Sequence, residues 1–237
     1  SFPLSVAFAS GEVTKSVPVS ITNALLDEVT EDILFQLVAV GNASIGTQNT
    51  SRLEILDDDP APTITLDLTG SPLAEASGLG TVTASLSAVS GLDVTVELAF
   101  SGTATLTSDY TRSGTTIVIP AGSTSGSITL TAVQDAIDES DETIVVDIDR
   151  VTNGAESGTQ RVSATIADDD PAPTVTLSLS GSPLAEAAGT GIVTATLSAV
   201  SGLDVTVNLV SSGTATPLSD YTRSGTTITI PAGSTSG

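Results

Sequence analysis

The residues able to do chemistry in this sequence are carboxylates, and they gather in a few turns. The run Gln134 to Glu142, QDAIDESDE, puts Asp135, Asp138, Glu139, Asp141 and Glu142 into one connection, and Asp168, Asp169 and Asp170 end a later apolar stretch. Glu75 and Asp109 each stand in a further turn. The chain has no His and no Cys, so no side chain is at hand to activate a serine, and neither a thiolate nor an imidazole site can form. A two-carboxylate glycosidase is the one catalytic chemistry this inventory allows. Acidic turns that recur along a chain argue for structure instead, and the chain is expected not to be an enzyme.

Carboxylates held together demand a counter-charge. Two of them about 5 Å apart at an effective dielectric near 20 repel by roughly 3 kcal/mol. Several such pairs would rival the whole stability of a domain, about 5–15 kcal/mol. Ca²⁺ suits the task because it takes six to eight oxygen ligands in flexible geometry, while the lack of His and Cys disfavours zinc and copper. The competing reading of the same residues is a set of separate, solvated turn formers.

The wider composition narrows the partners. A formal net charge of −22 repels nucleic acid phosphates and anionic lipid headgroups and attracts cations. No apolar run is long enough for a transmembrane helix, and the opening SFPLSV lacks the basic start of a signal peptide. A hydrophobic content of 39%, carried by Val, Ile, Leu and Ala, is enough for real cores and argues against disorder.

The elements that must hold the acids become visible when the chain is laid on itself at an offset of 111 residues. PAPTITLDLTGSPLAEASG from Pro60 returns as PAPTVTLSLSGSPLAEAAG from Pro171, and SLSAVSGLDVTV, SDYTRSGTT and IPAGSTSG recur at the same spacing. FASGEVTKSVPVSI from Phe8 and LEILDDDPAP from Leu53 fall more loosely on later segments. The expected division is a complete unit over 60–170, the late part of a unit over 1–59, and the early part of another over 171–237. Within the complete unit, alternating Thr, Val and Ile runs between Gly, Ser, Pro and Asp clusters predict strands near 63–68, 80–86, 94–100, 115–119, 127–133, 143–148 and 160–166. The fold class is therefore all-β: tandem, immunoglobulin-like Greek-key sandwiches of seven strands. In that topology the loop before the sixth strand and the end of the seventh emerge at one pole, which would pool the acids.

Other motifs carry less. Tyr110 and Tyr221, in SDYTRSG, are expected to pack at a sandwich corner. Arg112 and Arg223 are expected to form surface pairs of little worth. The glycines of GSTSG and SGLGT precede no helix and sit in negative surroundings, so they are turn residues and not phosphate loops.

The sequence resembles the Calx-β family, calcium-binding sandwich repeats of sodium/calcium exchangers, an integrin subunit and bacterial surface proteins. The resemblance rests on AEASG around Glu75, GTATLTSDY ending in Asp109 and Tyr110, QDAIDESDE before TIVVDI, and the terminal DDDP. It implies a Ca²⁺ site at one pole built from Glu75, Asp109, Asp135, Glu139, Asp168, Asp169 and Asp170, with Glu142 at the next acidic position. Gln134-Asp135 departs from the two consecutive Asp residues common in the family. The first unit departs further, with Asn23-Ala24 at that place, although Asp27, Glu28, Glu31 and Asp57 to Asp59 remain. The third unit has Glu186 and Asp220.

These features together predict an extracellular structural or adhesive array at a bacterial cell surface, an extended rod or fibre stiffened by Ca²⁺ at its junctions. Its expected partners are neighbouring repeats, homotypic filament contacts, and cell-surface or glycan ligands. Two alternatives stand beside it. One is a calcium-sensing regulatory domain of a larger membrane-associated protein. The other is a filament subunit whose partial end units complete each other head to tail.

Overall fold

The computed structural model describes residues 4–237, so the first three residues of the opening unit lie outside it. It is all-β, and among the described residues no helix is long and apolar enough to cross a membrane. Strands β1 (Glu31–Gln36) and β2 (Thr50–Ile55) form one antiparallel ladder. The central region holds β3 (Thr63–Thr69), β4 (Leu73–Ala74), β5 (Leu79–Leu86), β6 (Val94–Gly102), β7 (Tyr110–Arg112), β8 (Thr116–Ile119), β9 (Ser125–Ala132), β10 (Glu142–Thr152), β11 (Ala155–Glu156) and β12 (Arg161–Ala167). Beyond it, β13 (Val175–Ser180) pairs with β14 (Ile192–Leu197), and β15 (Val205–Asn208) with β16 (Thr227–Ile230).

The central strands form two five-stranded sheets, ordered β4-β12-β10-β6-β8 and β11-β3-β5-β9-β7. Consecutive long strands β5 and β6 lie in different sheets, and the chain crosses back between β8 and β9, so β9 lies beside β5 and β10 beside β6. The sequence alternation dictates what fills the space between the sheets. Val94, Val96 and Leu98 of β6, Ile144 and Val146 of β10, Val82 and Ala84 of β5, and Ile128 and Leu130 of β9 are all buried in one cluster. Thr and Ser at the intervening positions face outward, as the period of two requires. Tyr110 is buried in the same cluster, in keeping with a packing role.

The strand count differs from the expected seven. The seven long strands lie where the alternation put them, and three short pieces, β4, β7 and β11, bring the sandwich to ten. Two or three residues carry no readable period, so such pieces leave no sequence signal. β4 matters most, because it leaves the sheet of β3 and pairs in parallel with the end of β12.

The flanking regions repeat the central registers at the same offset. Glu31 faces Ile55 as Glu142 faces Ile166, Val175 faces Leu197 as Ile64 faces Leu86, and Val205 faces Ile230 as Val94 faces Ile119. Among the described residues the first flank holds one two-stranded ladder and the last flank two, leaving Leu34, Phe35, Leu177 and Leu179 exposed. A small cluster of Ala195, Leu197 and Ile230 is buried in the last one.

Candidate metal centre

Register alone brings the acids to one pole of the central sandwich. Glu142 opens β10 opposite Ile166, near the end of β12, so Asp168 follows two residues past the partner of Glu142. Ile166 and Ala167 pair in parallel with Leu73 and Ala74, which delivers Glu75 beside the same end, and the Glu75 N–H donates to the Ala167 carbonyl at 3.3 Å. In the other sheet Tyr110 faces Ala132, so Asp109 lies beside the exit of β9, and its carbonyl accepts from the Val133 N–H at 2.9 Å. Gln134 and Asp135 come next.

A tight turn aims Glu75 inward. The Gly78 N–H donates to the Ala74 carbonyl at 2.7 Å, and a Cβ on Gly78 would lie 2.4 Å from both the nitrogen and the oxygen of Ala74. Only glycine fits so close to backbone. Glu75 is 8% exposed, one of the few buried polar residues in the described chain.

Six of the eight expected ligands, Glu75, Asp109, Asp135, Glu139, Glu142 and Asp168, line one cavity of about 20 Å³, together with Ser140. That is room for one water-sized or ion-sized sphere. The remaining two, Asp169 and Asp170, join Glu75 in a second group whose oxygens lie within 4.8 Å of one another. Glu75 thus belongs to both groups.

Backbone donors already hold parts of this shell in place. The Asp135 N–H donates to Glu75 Oε1 at 3.0 Å, the Glu139 N–H to Asp168 Oδ1 at 3.3 Å, and the Asp168 N–H to Asp141 Oδ1 at 3.3 Å. The Gln134 side-chain amide donates to Asp169 Oδ1 at 3.2 Å, so glutamine here braces the Asp triplet. The Asp109 carboxylate accepts from the Thr105 N–H.

The charges are not balanced by protein cations. No arginine or lysine pairs with any of the eight acids among the described residues. Arg112 instead lies over the Phe100 ring, 4.0 Å from its centroid, and Arg223 donates to the Ser211 hydroxyl at 2.8 Å. Burial, then contact and repulsion with Asp109, then repulsion from Glu139 and Glu75, push the Glu142 carboxyl up to about 7. Burial first and neighbouring carboxylates next also raise Glu75, Glu139 and Asp170. One oxygen, Asp170 Oδ2, is buried with no hydrogen-bond partner, alone in this among the described residues. Such an atom costs free energy unless something positive reaches it. An all-oxygen donor set with an unpartnered buried carboxylate oxygen fits a hard divalent cation.

The expected ligand set left Asp138 out of the acidic run without giving it a role. Asp138 is not among the cavity residues, and its carboxylate accepts from the Ser201 hydroxyl at 3.0 Å. Nor did sequence reasoning single out Ser140 or the bracing role of Asp141.

Comparison with curated proteins returns no match. Among solved structures the chain is similar to an apo-form Calx CBD1 domain, at 18% identity and a TM-score of 0.42, over 47% of this chain and 100% of that one. It is similar to CBD12 from CALX1.2 at 16% identity and a TM-score of 0.41, over 74% and 73% of the two chains. A calcium binding domain CBD12 of CALX1.1 is similar at 19% identity and a TM-score of 0.40, over 45% of this chain and 44% of that one. The sequence itself speaks more directly. The Calx-beta domain pattern matches residues 2–59 and again residues 57–170, and the second match spans both five-stranded sheets and every acid of the cluster. On these two tandem matches, the chain belongs to the Calx-beta domain family.

Proposed function

We propose that this chain is part of an extracellular structural array, in which each complete sandwich binds Ca²⁺ at its acidic pole and the bound ion stiffens the junction with the next unit. The units are taken as 1–59, 60–170 and 171–237. The observation that carries the reading is the convergence of eight carboxylates without a single protein cation, one of them with a buried, unpartnered oxygen. Glu75, Asp109, Asp135, Glu139, Glu142 and Asp168 would hold an ion in the cavity, and Asp169 and Asp170 would share Glu75 beside it. The ion supplies the positive charge that the cluster lacks. Everything else falls to the chain: β4 and β12 present the acids from one side, β7 and β9 from the other, and backbone N–H groups fix their orientation.

The mechanical reading over a sensory one is supported by repetition. The Pro-Ala-Pro joints at Pro60 and Pro171 recur with the units, and stiff joints between similar units suit an extended array. A cell-surface adhesive role and contacts with glycans or other copies follow from that reading.

Thermal unfolding of the full chain in chelator, in millimolar Ca²⁺ and in millimolar Mg²⁺ tests it. At a free ion concentration about 100 times Kd, one bound ion adds about 2.7 kcal/mol, which is on the order of 10 °C for a domain of this size. A rise specific to Ca²⁺, abolished when Asp168, Asp169 and Asp170 are changed to Asn, is the expected result. Identical transitions in all three conditions would remove the ion from the account and leave a spacer whose acids serve solubility.

A further inference from the structure

At the boundary between the first and second units, the Ser90 hydroxyl donates to Asp27 Oδ2 at 3.0 Å, and the Gly91 N–H donates to the Asp27 carbonyl at 2.9 Å. At the next boundary the Ser201 hydroxyl donates to Asp138 Oδ2 at 3.0 Å, and the Gly202 N–H to the Asp138 carbonyl at 2.9 Å. Each serine oxygen also accepts within its own turn, from Leu92 N–H at 3.0 Å and Leu203 N–H at 3.1 Å. Ser90 and Ser201 are each 1% exposed. A buried hydroxyl whose proton goes only to the preceding unit is an interface residue.

The turn is also held from within its own unit. The Ser90 carbonyl accepts from Gly122 N–H at 2.9 Å and the Asp93 carboxylate from Ala121 N–H at 2.8 Å. Ser201 with Gly233 and Asp204 with Ala232 repeat both bonds at the same lengths. Two segments that recur unchanged, SAVSGLDV and IPAGSTSG, are thus the two halves of one rigid seat. The glycine leaves room for the neighbour's glutamate side chain. A Cβ on Gly202 would lie 2.6 Å from Glu139 Oε1 and 2.7 Å from its Cγ, and one on Gly91 would lie 2.8 Å from Glu28 Cγ.

We infer that the Ser-Gly turn between β5 and β6, and its counterpart between β14 and β15, is a docking seat for the Asp-Glu pair of the preceding repeat, and that Asp27 and Asp138 are joint residues and not metal ligands. The first unit supports the division of labour. It has Ala24 where the second has Asp135, yet it keeps Asp27 and Glu28 and makes the same contacts. With a covalent tether alone, one unit can swivel on the next; a second attachment removes that freedom. The Ser-Asp contact involves no proposed ligand, whereas Glu139, packed on Gly202, belongs to both the seat and the proposed Ca²⁺ site, so Asp138→Ala separates the two.

The chain has no Cys, so Thr159→Cys and Ser224→Cys, both at exposed positions, give one spin label in each of the second and third units. Pulsed dipolar spectroscopy on the full chain, in chelator and in Ca²⁺, reads the distance between them. A narrow distribution in both conditions is expected, lost in Gly202→Val and lost again in Asp138→Ala, which approaches the same contact from the other unit. Asp138→Ala should leave Ca²⁺ affinity, followed by calorimetric titration, unchanged. A distribution that stays narrow in both variants overturns the seat. So does one that narrows only with Ca²⁺ and ignores the substitutions, or a loss of Ca²⁺ binding in Asp138→Ala.

Discussion

The Asp135 N–H donates to Glu75 Oε1 at 3.0 Å, joining the acidic loop to a turn sixty residues earlier in the sequence. Glu75 is also the acid common to both carboxylate groups. A buried acid with raised pKa, crowded by Asp135, Asp170 and Asp168, destabilises the metal-free fold while it serves the metal-bound one. In Glu75→Gln the bond to Asp135 survives and the charge is lost. We expect the variant to be more stable than the parent in chelator, by on the order of 1 kcal/mol, and to lose most of its Ca²⁺ response. Denaturant unfolding in the two conditions gives both quantities.

Protons should compete with the ion. The Glu142 carboxyl titrates at about 7 in the fold against an ordinary 4.5, so the folded state binds a proton that the unfolded chain has already released. Its contribution to stability is full below about pH 4.5 and is lost as pH rises through about 7. In chelator the transition midpoint should therefore fall across that window. In saturating Ca²⁺ the trend should flatten or reverse, because binding displaces the proton. Melting curves at several pH values with and without chelator decide this.

Gly78→Ala probes geometry without touching a charge. Its Cβ would meet the Ala74 backbone at 2.4 Å, which must swing the Glu75 turn away from the pole. A loss of stability of about 2 kcal/mol or more is expected, accompanied by weaker Ca²⁺ binding. Unfolding and titration calorimetry on the same sample measure the two effects.

Arg112→Ala should cost about 0.5–1 kcal/mol through its contact with the Phe100 ring, and Ca²⁺ affinity should not change. An affinity change would mean that Arg112 reaches the carboxylates.

Much of the fold was legible because burial on one face imposes alternation: Val94, Val96 and Leu98 announce β6 without help from tertiary contacts. β4 and β11 were not legible, since a parallel pairing of two residues depends on where the chain crosses between sheets. The pole was legible from the turns that hold Glu75, Asp109 and the Asp triplet, because turn position and strand order together decide which loops meet. The contact of Asp138 with Ser201 was not, as adjacent loop residues point where the local path sends them. Ser90 reads in isolation as a turn former, and its burial makes sense only with a neighbouring unit against it. The recurrence of SAVSGLDV and IPAGSTSG in both copies was the available signal.

The two boundaries use the same four groups at matching distances: a serine hydroxyl, a glycine N–H, and the carboxylate and carbonyl of one aspartate. In the proposed array, equal contacts would carry one unit onto the next by a like rotation and translation. Repetition of one such operation would trace a helix, so the pitch of a longer array of such units would depend on the seating of a serine against an aspartate, and a change at that one pair would be multiplied along its whole length.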